Sequence, residues 1–127
     1  PGQLKVKIHK FHFQLMADLM KKLEAVPEGD GTMLDNTVIV YLSDAAEAHH
    51  SRCGQWPFVL IPGKNTGLQG GRYLDFPHYM QDGHREIGNL YTTLLHAAGE
   101  RRVYFGVRDA MLKGAARGDG PLEALIS

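Results

Sequence analysis

An α/β fold, with helices packed on a sheet, is what this 127-residue sequence predicts. Three observations carry that reading: two short, continuous apolar runs rich in β-branched residues, an amphipathic helix ahead of them, and a second one after them. The first run, Thr37-Val-Ile-Val-Tyr-Leu-Ser43, has no polar alternation, which is the pattern of a strand covered on both faces. Phe58-Val-Leu-Ile61 repeats it, so both runs are expected inside one sheet.

The leading helix is read from Leu4, Ile8, Phe11, Leu15, Met16, Leu19, Leu23 and Val26, which recur at spacings of three and four. Lys5, Lys7, Lys10, Asp18, Lys21, Lys22 and Glu24 fall largely between them, giving an amphipathic helix of about six turns expected to lie against the sheet. Pro27 and Glu28-Gly-Asp-Gly31 end it, because proline disfavours the helical region for the preceding residue and glycine costs backbone entropy. A short strand is predicted over Arg72 to Phe76, and a second helix over roughly Glu86 to Ala98. Ile87, Leu90, Tyr91, Leu94 and Leu95 form its apolar face, and Gly99 stands where a C-terminal cap belongs. In the tail, Asp109 to Ala116 is the one helix candidate. The 15 glycines exceed the usual share of about 7%, so much of the chain is expected to be tight backbone turns.

Length and composition bound the function. The chain is one domain's worth of sequence, 43% hydrophobic and 22% charged, the balance of an ordinary globular core. Fourteen basic and fourteen acidic residues cancel, with no basic stripe of the kind nucleic acid requires, so no nucleic-acid partner is expected. The apolar run Val38 to Leu42 is far short of the ~20 residues that cross a bilayer, so no transmembrane segment is expected. Cys53 is single, which rules out an internal disulfide and leaves the compartment unread. The chain opens at Pro1-Gly2, which suits a piece of a longer protein as well as a processed one.

Three blocks in order carry a family resemblance. They are Glu28-Gly-Asp-Gly-Thr-Met-Leu-Asp-Asn-Thr-Val-Ile-Val-Tyr-Leu-Ser-Asp44; Trp56-Pro-Phe-Val-Leu-Ile-Pro-Gly63 with Gly70-Gly-Arg-Tyr-Leu74; and Asn89-Leu-Tyr-Thr-Thr-Leu-Leu-His-Ala-Ala-Gly99. Phe105-Gly106 and Gly120-Pro-Leu122 extend the pattern to the end. Together they resemble the C-terminal part of a large, functionally uncharacterised family of bacterial proteins, usually exported, within the alkaline-phosphatase/sulfatase-like superfamily. The resemblance implies a mixed sheet flanked by helices, a single domain over 1–127 that is part of an alkaline-phosphatase-like domain, and an exported or periplasmic location. It also implies a preceding half that bears the nucleophile and part of a two-metal site in active members.

Chemistry would then centre on Asp44, which matches the superfamily's Ser-Asp ligand position for a divalent metal, with His49 or His50 near a later ligand. Ester hydrolysis of that type needs several ligands of fixed geometry and a metal-held nucleophile. The active pattern continues Asp-His-Gly, whereas here Ala45 and Ala46 follow Asp44, so the second ligand is missing. No catalytic residue is assigned.

Other patterns resolve into plainer readings. Cys53 lies three or four residues from His49 and His50 with no orienting third group and no helix N-terminus to lower its pKa, and it reads as a structural or incidental thiol. Gly63-Lys-Asn-Thr-Gly-Leu-Gln-Gly-Gly71 lacks the order of a P-loop and reads as a strand connection. Glu28, Asp30 and Asp35 imitate a calcium loop, but its sixth position is Met33 and its twelfth Ile39. His12 and His96 sit in helices as structural histidines, while His78 and His84 flank a loop, 79–83, that can fold back toward Asp44.

Three function classes follow. The favoured one is a catalytically silent domain or fragment with an interaction or architectural role, its partner being the remainder of a larger protein or a second copy. The second is a metal-dependent phosphate or sulfate ester hydrolase completed by another chain or segment. The third is a small ligand-binding module rimmed by the glycine loop and the 44–56 loop, with Lys64, Asn65 and His84 as its ligand residues.

Overall fold

Helix α1 spans Gly2–Glu24 in a computed structural model that describes residues 2–43 and 54–126. The chain divides into two units, Pro1–Thr37 and Val38–Ser127. In the first, α1 ends as the sequence predicts. Lys21 and Lys22 occupy its last turn, where cations meet the negative end of the helix dipole, and Pro27 follows. A small antiparallel hairpin comes next, β1 (Pro27–Glu28) with β2 (Gly31–Thr32), whose loop needs the positive φ of +57° that Gly29 supplies.

The Leu-Asp-Asn-Thr segment is a 3-10 turn over Met33–Asn36, and its side chains explain its composition. Asp35 accepts the Thr32 backbone N–H at 2.8 Å, Asn36 donates to the Glu28 carboxylate at 2.7 Å, and the Thr37 hydroxyl donates to the Met33 carbonyl at 2.6 Å. These are local turn-forming bonds. Helix α1 touches this turn, with Met16, Met20 and Leu23 half-buried, yet no residue of α1 is fully buried.

The second unit begins with β3 (Val38–Leu42), paired antiparallel with β4 (Phe58–Pro62) in the register Val38↔Pro62 to Leu42↔Phe58. Its core is Leu90, Leu122 and Leu125, against which Phe58 and Leu60 pack from β4, Leu74 and Phe76 from the following segment, and Ile87 and Leu94 from helix α2 (Ile87–Ala97). Leu90 is 1% exposed; by cavity arguments its truncation to alanine costs about 2–5 kcal/mol.

Helix α2 closes as its sequence indicates. Gly99 takes φ +87°, its N–H donates to the His96 carbonyl at 3.0 Å, and the Glu100 N–H reaches back to the Leu95 carbonyl at 2.8 Å. That is the Schellman arrangement, which satisfies carbonyls a helix end leaves open.

Helices and small antiparallel sheets are therefore both present, as an α/β reading requires. Four details differ from expectation. Both sheets among the described residues are two-stranded and antiparallel, where a mixed sheet was expected. The strand β4 is covered on one face rather than two: Phe58 and Leu60 point at the core, and Val59 between them is 38% exposed. Arg72 to Phe76 keeps a strand's alternation, with Leu74 and Phe76 inward and Tyr73 91% exposed, but pairs with no strand among the described residues; the C-terminal segment approaches nearby, bonding through Gln69 N–H to the Leu125 carbonyl and Arg72 to the Ala124 carbonyl. The helix expected over Asp109 to Ala116 is a turn followed by a 3-10 segment at Gly114–Ala116. Asp109 binds the Met111 N–H at 2.8 Å and Gly114 adopts φ +56°, which an α-helix continuing from 109 to 116 cannot accommodate in its interior.

Candidate functional site

A cleft of about 660 Å³ opens in the second unit between β4, the 69–78 segment and the start of α2. That volume is within the range of small-molecule sites. Its floor is apolar, built from Phe58, Leu60, Leu74, Phe76, Ile87 and Leu90. Polar groups stand around it: Gln69, Arg72, Asp75, His78, His84, Arg85 and Glu86.

Helix α2 holds this wall in place through buried polar side chains whose bonds are all made. Asn89, fully buried, accepts the Glu86 N–H at 2.8 Å through Oδ1 and donates through Nδ2 to the carbonyls of Gly118 and Gly120 at 2.9 and 2.8 Å. Thr92 donates to the Gly88 carbonyl and accepts the Phe105 N–H at 3.0 Å, while Thr93 donates to the Asn89 carbonyl and accepts the Leu122 N–H at 2.7 Å. These three residues convert an irregular tail into a fixed layer over the helix, since each buried backbone group needs a partner. Close approach does the rest. A Cβ on Gly88 would stand 2.4 Å from the Tyr104 hydroxyl oxygen, and one on Gly118 would meet the Arg85 guanidinium.

Two tyrosines carry perturbed acidity. Burial, with a hydrogen bond of 2.9 Å to the Glu86 carboxylate, pushes Tyr104 up to about 12. The Arg108 guanidinium stacks over its ring at 5.0 Å and pairs with Asp119 at 2.9 Å. At the surface, Tyr79 donates to Asp109 at 2.5 Å, which raises the phenol and lowers the carboxylic acid. Both pairs fasten the tail, and neither tyrosine lines the cleft.

Of the residues singled out in the sequence, Asp44, His49 and His50 lie outside the described residues, as does Cys53. Among the described residues no group of three or more His, Cys, Asp or Glu could hold a metal ion. Lys64 and Asn65 sit exposed on the turn closed by Thr66, whose N–H and hydroxyl both donate to the Gly63 carbonyl, and they are not walls of the cleft. His84 is the one ligand-loop residue in the cleft. It is buried, with Nδ1 2.9 Å from the Pro77 carbonyl and its ring edge-on to Tyr79. A carbonyl only accepts, so Nδ1 carries the proton.

His96 binds the Arg102 carbonyl through Nε2 at 2.8 Å, a structural role as expected, and His12 makes ring contacts with His9 and Phe11 on α1. Arg85 and Glu86 were missed in the sequence. Their one signal is position, immediately before the first turn of α2, and that says nothing of a cleft until the 69–78 segment is in place. No described helix is long and apolar enough to cross a membrane. No family model, curated protein or solved structure matches the chain.

Proposed function

We propose that this chain is a catalytically silent portion of an alkaline-phosphatase/sulfatase-like protein with an interaction or architectural role, its β3–β4 pair belonging to a larger mixed sheet and the apolar stripe of α1 docking onto the rest of that protein's core. The observation that carries the reading is the surface of α1. Leu4 is 65% and Phe11 62% exposed, and Ile8, Leu15 and Leu19 on the same face are exposed as well. A row of large apolar side chains of this kind marks an interaction surface.

The sequence supports silence in catalysis: Asp44 is followed by Ala45 and Ala46, and alanine supplies no metal ligand. Without a positioned nucleophile the proximity contribution, about 7 to 11 kcal/mol when fully realised, is mostly lost.

Sedimentation velocity beside an ester-hydrolysis assay tests this. The chain should self-associate through the uncovered face and become monomeric in Phe11→Glu/Leu15→Glu, and it should not hydrolyse phosphate or sulfate esters above buffer with zinc, calcium or manganese. A clean monomer at all concentrations would sink the docking face. Metal-dependent turnover lost in both Asp44→Ala and His50→Ala would replace the silent reading with the hydrolase.

A further inference from the structure

One cation of the cleft in the second unit pairs with no carboxylate among the described residues. Arg85 lines it, half-buried, and its guanidinium donates to the His84 carbonyl at 2.8 Å; among the described residues it has no carboxylate partner. Gly118 of the tail packs directly on the guanidinium. The neighbouring acid, Glu86, lines the cleft too but makes no ion pair with Arg85; it accepts the hydroxyl of Tyr104, which is not a wall of the cleft. Asp75 and Arg72 both stand on the exposed side, Arg72 bonded to the Ala124 carbonyl. The half-buried part of the cleft therefore holds a guanidinium that makes no ion pair among the described residues, in a lining that is largely apolar and with the Glu86 carboxylate turned to the Tyr104 hydroxyl.

A guanidinium has five donors and no acceptor, and one hydrogen bond to a carbonyl leaves most of them free. Carboxylates match its planar fork, with two parallel N–H···O bonds available. The Phe58, Leu60, Leu74, Phe76 and Ile87 side chains that line the same cleft favour an apolar body rather than a sugar or a phosphate cluster. The positive end of α2, which starts two residues after Arg85, adds the same sign of field.

From this combination we infer that the cleft binds a small monocarboxylate with an aromatic or branched aliphatic body, the carboxylate on Arg85 and the body on the apolar floor. The site is independent of the α1 docking face, so it stands or falls separately from the proposed function.

Calorimetric titration of the full chain with 2-naphthoate, beside the neutral 2-naphthamide, tests it. One-site saturable binding of the acid is expected, with the amide about 10-fold weaker or more, in keeping with loss of a charge-assisted contact. Arg85→Gln should weaken the acid by a similar factor and leave the amide unchanged, and Arg101→Gln, exposed and outside the cleft, should change little. Should Arg85→Gln unfold, as judged by its circular dichroism, Leu74→Glu provides the second variant: a like charge in the wall at a half-buried position should abolish binding of the acid. Absence of saturable binding, equal affinity for acid and amide, or a folded Arg85→Gln or Leu74→Glu chain that binds the acid as the wild type does, each overturns the inference.

Discussion

Helices α1 and α2 share one kind of sequence signal and meet opposite fates. Both show apolar residues at spacings of three and four, but α2 fully buries Gly88, Asn89, Leu90, Thr92 and Thr93, while α1, twice as long, fully buries no residue. The difference lies in what each helix has beside its apolar stripe. Helix α2 carries small and polar residues, Gly88, Asn89, Thr92 and Thr93, which admit the tail closely and bind its backbone. On α1 the stripe is flanked by lysines and glutamine, which are exposed. Periodicity says which face of a helix is apolar; the chemistry around that face decides whether the chain itself covers it.

The sharpest way to break this contrast is Asn89→Ala. It strands the Glu86 N–H and the Gly118 and Gly120 carbonyls in one step, and a loss of about 3 kcal/mol or more is expected from unsatisfied buried groups, read by urea denaturation. A change below about 1 kcal/mol would mean the tail is not held by this helix. Thr93→Val should cost less, about 2 kcal/mol, by orphaning the buried Leu122 N–H while keeping side-chain volume.

A smaller effect follows from Tyr104. Its folded acidity is displaced upward to about 12, so the neutral phenol is the favoured form in the native state. The contribution is complete below the ordinary tyrosine value near 10 and declines as pH rises through about 12. Alkaline difference absorbance should show a tyrosine that titrates near 12 and disappears in Tyr104→Phe, beside the upward-shifted Tyr79 that stays. Early titration of every tyrosine in the folded chain would remove the Tyr104–Glu86 contact from the account.

How much of this could be read beforehand depends on the range of the interaction. Both helices, the two apolar strands, the Pro27 stop and the Gly99 cap follow from neighbours within a few residues, and all are present. Arg72 to Phe76 has the residues of a strand without a partner strand, a deficit that belongs to the rest of the fold and leaves no mark on the segment itself. The absent helix at Asp109 to Ala116 turned on Gly114 adopting a positive φ, a choice glycine permits and its neighbours do not dictate. The cleft was legible only in part. Gly54, Gln55 and Trp56 of the 44–56 loop, Gln69, Gly70 and Gly71 of the glycine loop, and His84 line it, while Lys64 and Asn65 stay on an outer turn and the apolar walls with Arg85 and Glu86 come from distant segments that no local pattern joins.

Native-state amide hydrogen exchange, run at low and high protein concentration, tests the contrast between the two helices most directly. Amides from Leu90 to His96 should be strongly protected at every concentration, since α2 is anchored within its own unit. Those from Ile8 to Leu19 should exchange freely in the dilute chain and gain protection only as molecules associate over the uncovered face. Equal protection of both helices in a dilute monomer would contradict the account, because α1 would then be stable without a partner.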